Sequence, residues 1–442
     1  MKRFPNTYVI ISAIIVLCAL ATFIVPAGQY VEGADGAVRY ERMAASPQSW
    51  QVFASLYNGF VKQAGIIVFI LIVGGAFWIL NSTGAVTFGI KRFIGVAGKY
   101  DKAVLAGLIL LFSTGGAVFG MSEETIPFVG IVVPLVTAMG YDAIVGLLVV
   151  YVAANLGFSS AFLNPFTVGI AQEMSSLPLF SGMGYRIFCW AVLTFACIIF
   201  TLAYAARIRE QPASAVEASG EEETTVQPWR MKAILWVLLA SIAVLIVGVT
   251  RFKWYMAEIS ALFLAMGLAC GALAGYRPNK IADLFVAGAR DILSAALVVG
   301  LASGIILILQ DGHILDTILH GMETSLEGAG KAASLALMYL VQTFINLFIP
   351  SATAKAAITI PVMAPFCDLI HLSRQTMVLA FQFGDGFTNM ITPTSGVLIA
   401  ALGMAKVPYT EWVKVAWKHI LALILAGFVL LLPTIFLNLT GF

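Results

Sequence analysis

The stretch Gly384-Asp-Gly-Phe-Thr-Asn-Met-Ile-Thr-Pro-Thr-Ser-Gly396 is polar and glycine-rich, yet it lies inside an apolar run from about Met377 to Met404. Within a bilayer, backbone polar groups need partners inside the protein, so a segment that leaves the helix at mid-membrane depth has to line a protein-walled cavity. The stretch is therefore a candidate site. A segment of the same design lies in the first half, Gly157-Phe-Ser-Ser-Ala-Phe-Leu-Asn-Pro-Phe-Thr-Val-Gly-Ile-Ala171, again between apolar flanks. Interrupted helices at corresponding positions of two halves point to the binding site of a secondary transporter.

Composition fixes the solvent. Of 442 residues, 60% are hydrophobic and 11% charged, with a mean hydropathy of +0.95. Soluble domains carry roughly 25% charged residues, so the chain reads as an all-α integral membrane protein in contact with the lipid bilayer. A net charge of +2 says nothing about a nucleic-acid partner, and none is expected of a chain of this class; the charges matter by position instead. The five cysteines, Cys18, Cys189, Cys197, Cys270 and Cys367, sit in apolar surroundings without paired or metal-like spacing and read as small core residues. Met1-Lys-Arg-Phe-Pro before an apolar run reads as the start of an uncleaved first membrane helix rather than a secretory signal, because many spans follow.

Hydropathy predicts spans near 8–26, 65–82, 183–206, 231–250, 255–276, 291–310 and 419–439, each near the ~20 residues a crossing needs. The regions 144–177 and 375–406 are the two broken helices. Two more apolar regions, 103–138 and 334–371, are too long for one span and are interrupted by polar residues at their middles. They read as re-entrant helical hairpins, with Gly120-Met-Ser-Glu-Glu-Thr-Ile-Pro127 and Ile349-Pro-Ser-Ala-Thr-Ala-Lys-Ala356 at their turns. Each hairpin precedes a broken helix, so the order is an internal repeat: 1–206 is the first copy, 207–254 a cytoplasmic linker and connecting helix, and 255–442 the second copy. Segments 27–50 and 311–332 read as loops; 50–64 and 281–290 read as interfacial helices.

Positive charge sets the expected orientation. Lys2 and Arg3 place the N-terminus in the cytoplasm; Lys91, Arg92, Lys99 and Lys102 place the base of the first hairpin there; Arg207, Arg209, Arg230 and Lys232 flank a cytoplasmic linker rich in glutamate at 217 and 221–223. Counting crossings onward, Arg277, Lys280, Lys406, Lys414 and Lys418 fall inside, and the second hairpin enters from outside. The two repeats are then inverted in topology, as in inverted-repeat carriers.

Glu123 and Glu124 stand at the start of the second arm of the first hairpin, with Pro127 just inside. A carboxylate at membrane depth costs ~2.5–3.5 kcal/mol even on insertion scales. Either the pair only caps that half-helix, or at least one of them binds an ammonium or guanidinium group, a sodium ion or a transported proton. Asp385, between Gly384 and Gly386, either braces the break or approaches a ligand. Lys355, at the other turn, could pair with Asp385, stand in for a bound cation, carry a proton or bind a substrate carboxylate. Ser122, Ser159, Ser160, Asn164, Thr353, Thr388, Asn389, Thr392, Thr394 and Ser395 supply hydroxyl, amide and backbone ligands around the four turns. Asn164-Pro165 and Thr392-Pro393 stop the preceding helices, because proline lacks the N–H and clashes with the previous turn, and are expected to free carbonyls for coordination.

Neither a HExxH pair, a Cys–His cluster, a G-x-S-x-G elbow nor a Walker loop is present, so the sequence carries no mark of an enzyme or an ATP-driven pump and asks for no cofactor beyond a coupling proton or sodium ion. A channel would need a filter on a symmetry axis rather than a repeat built around a site.

The run Gly115-Gly-Ala-Val-Phe-Gly-Met-Ser-Glu-Glu124, the Asn164-Pro165 break, and Phe381-Gln-Phe-Gly-Asp-Gly-Phe387 followed by Thr392-Pro-Thr-Ser395 resemble the YfcC branch of the DcuC-like (C4-dicarboxylate anaerobic carrier) transporters, over essentially the whole chain. The resemblance implies membership of the ion-transporter superfamily: homodimers in a bacterial plasma (inner) membrane, each with a scaffold domain and an elevator-type transport domain. Where it implies a neutral glutamine in the second hairpin turn, this chain departs with Lys355. Members include basic amino-acid antiporters and dicarboxylate carriers. The surplus of acids (Glu123, Glu124, Asp385) over bases (Lys355) favours a small-molecule substrate with a positive group. The expected function is thus alternating-access exchange of a basic amino acid such as arginine or ornithine; the alternative is proton- or sodium-coupled transport of a C4-dicarboxylate.

Overall fold

The computed structural model describes residues 7–32, 38–97, 100–208, 226–252, 254–324, 330–370 and 372–437. Lys2, Arg3, Lys99, Arg209 and the glutamates at 217 and 221–223 lie outside the described residues.

The chain opens with α1 (Thr7–Ile24), then an antiparallel hairpin of β1 (Gly28–Glu32) and β2 (Val38–Arg42) with Tyr30 opposite Tyr40. Next come α2 (Gln51–Lys62), α3 (Ala64–Ser82) and α4 (Ala85–Ala97). The first expected hairpin is α5 (Asp101–Phe119) and α6 (Thr125–Ala138). The first broken helix is α7 (Ala143–Leu147), a π-helical turn at Leu148–Val152 and α8 (Ala153–Ser159), then a break, a second π-helical turn at Pro165–Gly169 and α9 (Ile170–Met174). Then follow α10 (Met183–Ile208), α11 (Pro228–Phe252), α12 (Met256–Leu273), α13 (Pro278–Asp311) and α14 (Leu315–Thr324). The second half closes with α15 (Lys331–Asn346), α16 (Ala352–Leu369), α17 (Arg374–Asn389), α18 (Gly396–Ala405) and α19 (Tyr409–Leu431).

Among the described residues, seven helices are long and apolar enough to cross a membrane: α3, α5, α10, the first part of α11, α12, α13 and α19 with the turn after it. Large apolar side chains stand exposed along α10, α11 and α19, among them Phe195, Trp236 and Leu425. In water such surfaces would drive association; against hydrocarbon they are at home. All five cysteines are free and buried, as their surroundings imply.

Several boundaries differ from the expectation. The predicted interfacial helix 281–290 and span 291–310 are one 34-residue helix, α13, because nothing between them breaks the ladder and Pro278 starts it cleanly. The loop 27–50 contains the β-hairpin, and 311–332 contains α14; the two dock through the Tyr30 N–H on the Asp316 carboxylate (3.1 Å) and the Tyr40–Thr317 hydroxyl pair (2.7 Å). The region 50–64 does hold the short amphipathic α2. The polar stretch from Gly384 does not unwind at once: α17 stays helical through Asn389, so the second break spans only residues 390–395.

Two packing groups emerge. One gathers α1, α2 and α3 on α13, with α12 packed on α3 and α11 and α4 alongside; the other gathers α5–α10 with α15–α19. Helices α18 and α6 sit at the junction, α18 against α13 and α6 against α4 and α3. In the second group, the arms of each helix–turn–helix lie mainly along the broken helix that follows rather than along each other.

Candidate functional site

The local sequence builds each turn. Gly120 ends α5 in the left-handed region (φ 71°), a conformation glycine adopts without a Cβ penalty. A Cβ there would stand 2.6 Å from the Asn164 amide, so the first turn is seated on the first break. The N–H groups of Phe162 and Leu163 both donate to the Ala117 carbonyl at 3.2 Å, using a free carbonyl at the end of α5. In the second half the Thr394 hydroxyl (2.7 Å) and the Thr392 hydroxyl (3.3 Å) donate to the Leu347 carbonyl at the end of α15. Each break thus caps the first arm of its own helix–turn–helix.

The two broken helices cross at Ser159 and Gly386. A Cβ on residue 386 would lie 1.9 Å from Ser159 Oγ, so only glycine permits the approach. Gln382 ties the crossing by donating from Nε2 to the Phe158 carbonyl (3.2 Å) and the Thr167 hydroxyl (3.1 Å). Tyr151, from the π-helical turn of the first half, donates to the Asn389 carbonyl at 2.8 Å. That bond sets the first broken helix against the polar centre around Asp385, whose Oδ2 accepts from the same Asn389.

In that centre Lys355 Nζ lies 3.0 Å from Asp385 Oδ1, and both side chains are 0% exposed. Asp385 Oδ2 accepts from Asn389 Nδ2 at 3.1 Å, one helical turn on. Asn346 Nδ2 donates to the Asp385 carbonyl (2.9 Å), the Thr388 hydroxyl (2.8 Å) and Asn389 Oδ1 (3.0 Å). Lys355 also stands over the Phe381 ring, 4.7 Å from its centroid.

The acidic turn is different in kind. Glu124 is buried and Glu123 half-buried at the N-terminus of α6, and Glu124 Oε2 accepts from the Ser122 N–H at 3.0 Å. Among the described residues neither glutamate forms a salt bridge. The helix they begin, α6, packs on α4 and α3 of the other group.

Of the predicted site residues, the structure gathers Lys355, Asp385, Thr388 and Asn389 in one network. Ser159 and Ser160 are buried, but their hydroxyls donate to the Asn155 (2.6 Å) and Leu156 (2.7 Å) carbonyls, a helical back-bond. Ser395 caps α18 by accepting from the Leu398 N–H, and Thr392 and Thr394 are spent on Leu347 and on each other (2.8 Å). Thr353 is exposed and joins none of this. The expectation of free carbonyls at the second break is not met: Asn389, Met390 and Ile391 receive the Tyr151 hydroxyl, Trp412 Nε1 (2.8 Å) and the Tyr409 hydroxyl (2.7 Å). A buried carbonyl without a donor is costly, and the aromatic polar tips supply one here.

Sequence reading missed Asn346, Gln382, Tyr151 and Trp412. Gln342 and Asn346 carried a signal, being amides four residues apart on one face of an apolar helix. Tyr151 carried none, since its partner is 238 positions away.

The family model for the C4-dicarboxylate anaerobic carrier, DcuC, matches residues 4–435. A protein of Escherichia coli (strain K12), provisionally named basic amino acid antiporter YfcC, is 35% identical over 93% of this chain and 92% of its own length. An uncharacterized protein of Haemophilus influenzae is 29% identical over 85% of this chain and 76% of its own. Among solved structures, the YdaH transporter of Alcanivorax borkumensis aligns over 97% of this chain and 98% of its own at 18% identity and a TM-score of 0.46. MtrF of Neisseria gonorrhoeae, from a class described as antimetabolite efflux pumps, aligns over 99% and 96% at 16% identity and the same TM-score of 0.46. A family model spanning nearly the whole chain, with a relative at that identity, decides the assignment: the protein belongs to the C4-dicarboxylate anaerobic carrier (DcuC) family of multi-pass membrane transporters and is not an enzyme.

Proposed function

We propose that the protein is a secondary active transporter that exchanges basic amino acids of the arginine or ornithine kind across the bacterial inner membrane, with its N-terminus in the cytoplasm. The observation that carries this reading is the unequal treatment of the acids. Asp385 is neutralised internally by Lys355, whereas Glu123 and Glu124 have no cationic partner among the described residues and lie at the N-terminus of α6, a helix at the junction of the two packing groups. A buried carboxylate without a counter-charge is expensive, and a substrate's guanidinium or ammonium would relieve that cost on binding. The substrate's own carboxylate would take the N–H groups at one of the broken-helix ends. The relative named for basic amino acid antiport is in keeping with this.

In this reading the two halves are inverted repeats, α5–α6 and α15–α16 are re-entrant hairpins, and the group holding them moves as an elevator against the group around α13, which forms a homodimer. Binding charge between the groups gives each conformational state the same site seen from opposite sides.

Counterflow in proteoliposomes tests the reading. Liposomes loaded with unlabelled arginine or ornithine should accumulate labelled arginine transiently, and Glu124→Gln should abolish it while leaving the protein folded. Counterflow of succinate or fumarate with none of arginine would replace the proposal by the dicarboxylate reading.

A further inference from the structure

The turn between α12 and α13, residues 274–277, gathers positive charge that the polar centre around Asp385 does not use. Helix α11 packs on α12 and brings Arg230 to this turn: a Cβ at Gly275, which holds the left-handed region at φ 83°, would stand 2.5 Å from Arg230 Nη1. Arg277 follows, exposed, at the start of α13, and Lys280 one turn on lies 4.0 Å from the centroid of the Tyr276 ring. Among the described residues none of these three cations forms a salt bridge, nor does Asp283, one turn beyond Lys280. Arg230 is the most exacting of the three. It is half-buried, its Nε is shut off from solvent without a hydrogen-bond partner, and its guanidinium donates to no acceptor among the described residues. The negative end of the α12 dipole attracts a cation here, but it leaves the donors of the guanidinium fork unserved. Trp229 and Tyr276 flank the cluster, with Arg230 5.3 Å from the Trp229 ring, and such amphipathic rings belong at the edge of the hydrocarbon. Away from the turn, Trp236 and Leu239 on α11 and Leu268 on α12 stand exposed along apolar spans.

From this arrangement we infer that Arg230, Arg277 and Lys280 form a headgroup site for an acidic phospholipid, whose acyl chains lie along the exposed flank of α11 and α12. The planar guanidinium offers paired N–H donors to phosphate oxygens, and the ammonium adds a point charge beside them. Basic pockets between membrane helices take anionic headgroups in this way, each cation strengthening the attraction about fivefold. A soluble phosphate would meet the same three cations but would leave the apolar flank uncovered, so the lipid is the occupant that fits both. The cluster stands in the group around α13, apart from Glu123, Glu124 and Lys355, and the inference depends on neither the transported solute nor the exchange reaction.

The experiment is thermal unfolding of the purified full chain in detergent micelles doped with phosphatidylglycerol, or with phosphatidylcholine of the same acyl chains, over a range of lipid fractions at constant ionic strength. Wild type should show a saturable rise in melting temperature with phosphatidylglycerol and none with phosphatidylcholine. Each of Arg230→Gln, Arg277→Gln and Lys280→Gln should raise the half-saturating lipid fraction about fivefold, and the triple variant should lose the rise. Lys414→Gln with Lys418→Gln, which removes two cations from α19, should keep it. An equal response to the two lipids, or a triple variant that keeps the rise, overturns the inference. So does an equal loss in the α19 variant, because net charge alone would then explain the attraction. Glycerol phosphate without acyl chains, if it gives the same rise, assigns the cluster to a soluble phosphate and overturns the lipid. Should the triple variant not fold, the single variants decide by the fivefold shift or its absence. No transported solute enters these measurements, so their failure is separate from a failure of the arginine assignment.

Discussion

Breaking the Lys355–Asp385 pair is the perturbation with the largest expected effect on the fold of the site. At 3.0 Å, two unit charges attract by about 5 kcal/mol at an effective dielectric near 20. Neither side chain is exposed, so water cannot replace a lost partner. Removing one member should therefore cost about 3–5 kcal/mol, most of it the penalty of the charge left behind. Lys355→Met strands Asp385 with only the Asn389 amide on Oδ2, and Asp385→Leu strands Lys355 with only the Phe381 ring. The double variant strands neither charge and should lose less than the two single losses added together, by several kcal/mol. Chemical unfolding in a sodium-free buffer is a suitable assay, followed by tryptophan fluorescence. Trp412 is a natural reporter, because it is fully buried and donates to the Met390 carbonyl beside the break. If the single losses simply add, to within about 0.5 kcal/mol, the two charges do not act on each other and the description of the centre is wrong.

Other expectations follow from the same contacts. Gly386→Ala should destabilise by about 1–3 kcal/mol through overpacking, since the new methyl falls 1.9 Å from Ser159 Oγ; Ser159→Ala should return part of the loss, which a shift in melting temperature would show. Tyr151→Phe leaves the Asn389 carbonyl without its donor and should cost about 1–3 kcal/mol in the same assay, with a fall in transport, as it loosens the link between the two broken helices. Asn346→Leu removes a side chain that donates to three acceptors around Asp385 and should lower stability by a similar or larger amount, about 2–3 kcal/mol; full stability would mean that the network is not formed. Gln382→Leu should weaken the crossing without altering the Lys355–Asp385 pair, so its loss should add to that of Lys355→Met less than fully only if the two sites are coupled.

The sequence by itself determined the solvent, the helical class, the approximate spans and the two interruptions, because all of these are local consequences of composition. Long apolar runs have to be helices in lipid, and Asn164-Pro165 and Thr392-Pro393 have to end them. It also singled out Glu123, Glu124, Lys355 and Asp385, since a charge inside an apolar run stands out without any knowledge of its partner. What it left open depended on contacts between distant positions. Whether Gly384–Asn389 unwinds was decided by the helix packed on it: Asn346 secures the Asp385 carbonyl and Thr388, and the ladder continues to Asn389. Whether the break carbonyls are free was decided by Tyr151, Tyr409 and Trp412, aromatic residues whose polar tips look like ordinary membrane-helix side chains until their partners are known. The pairing of Lys355 with Asp385, 30 positions on, was one of several open readings, and only the packing of α16 on α17 selected it. Local chemistry says which groups are costly to bury; the tertiary structure says which neighbour bears that cost.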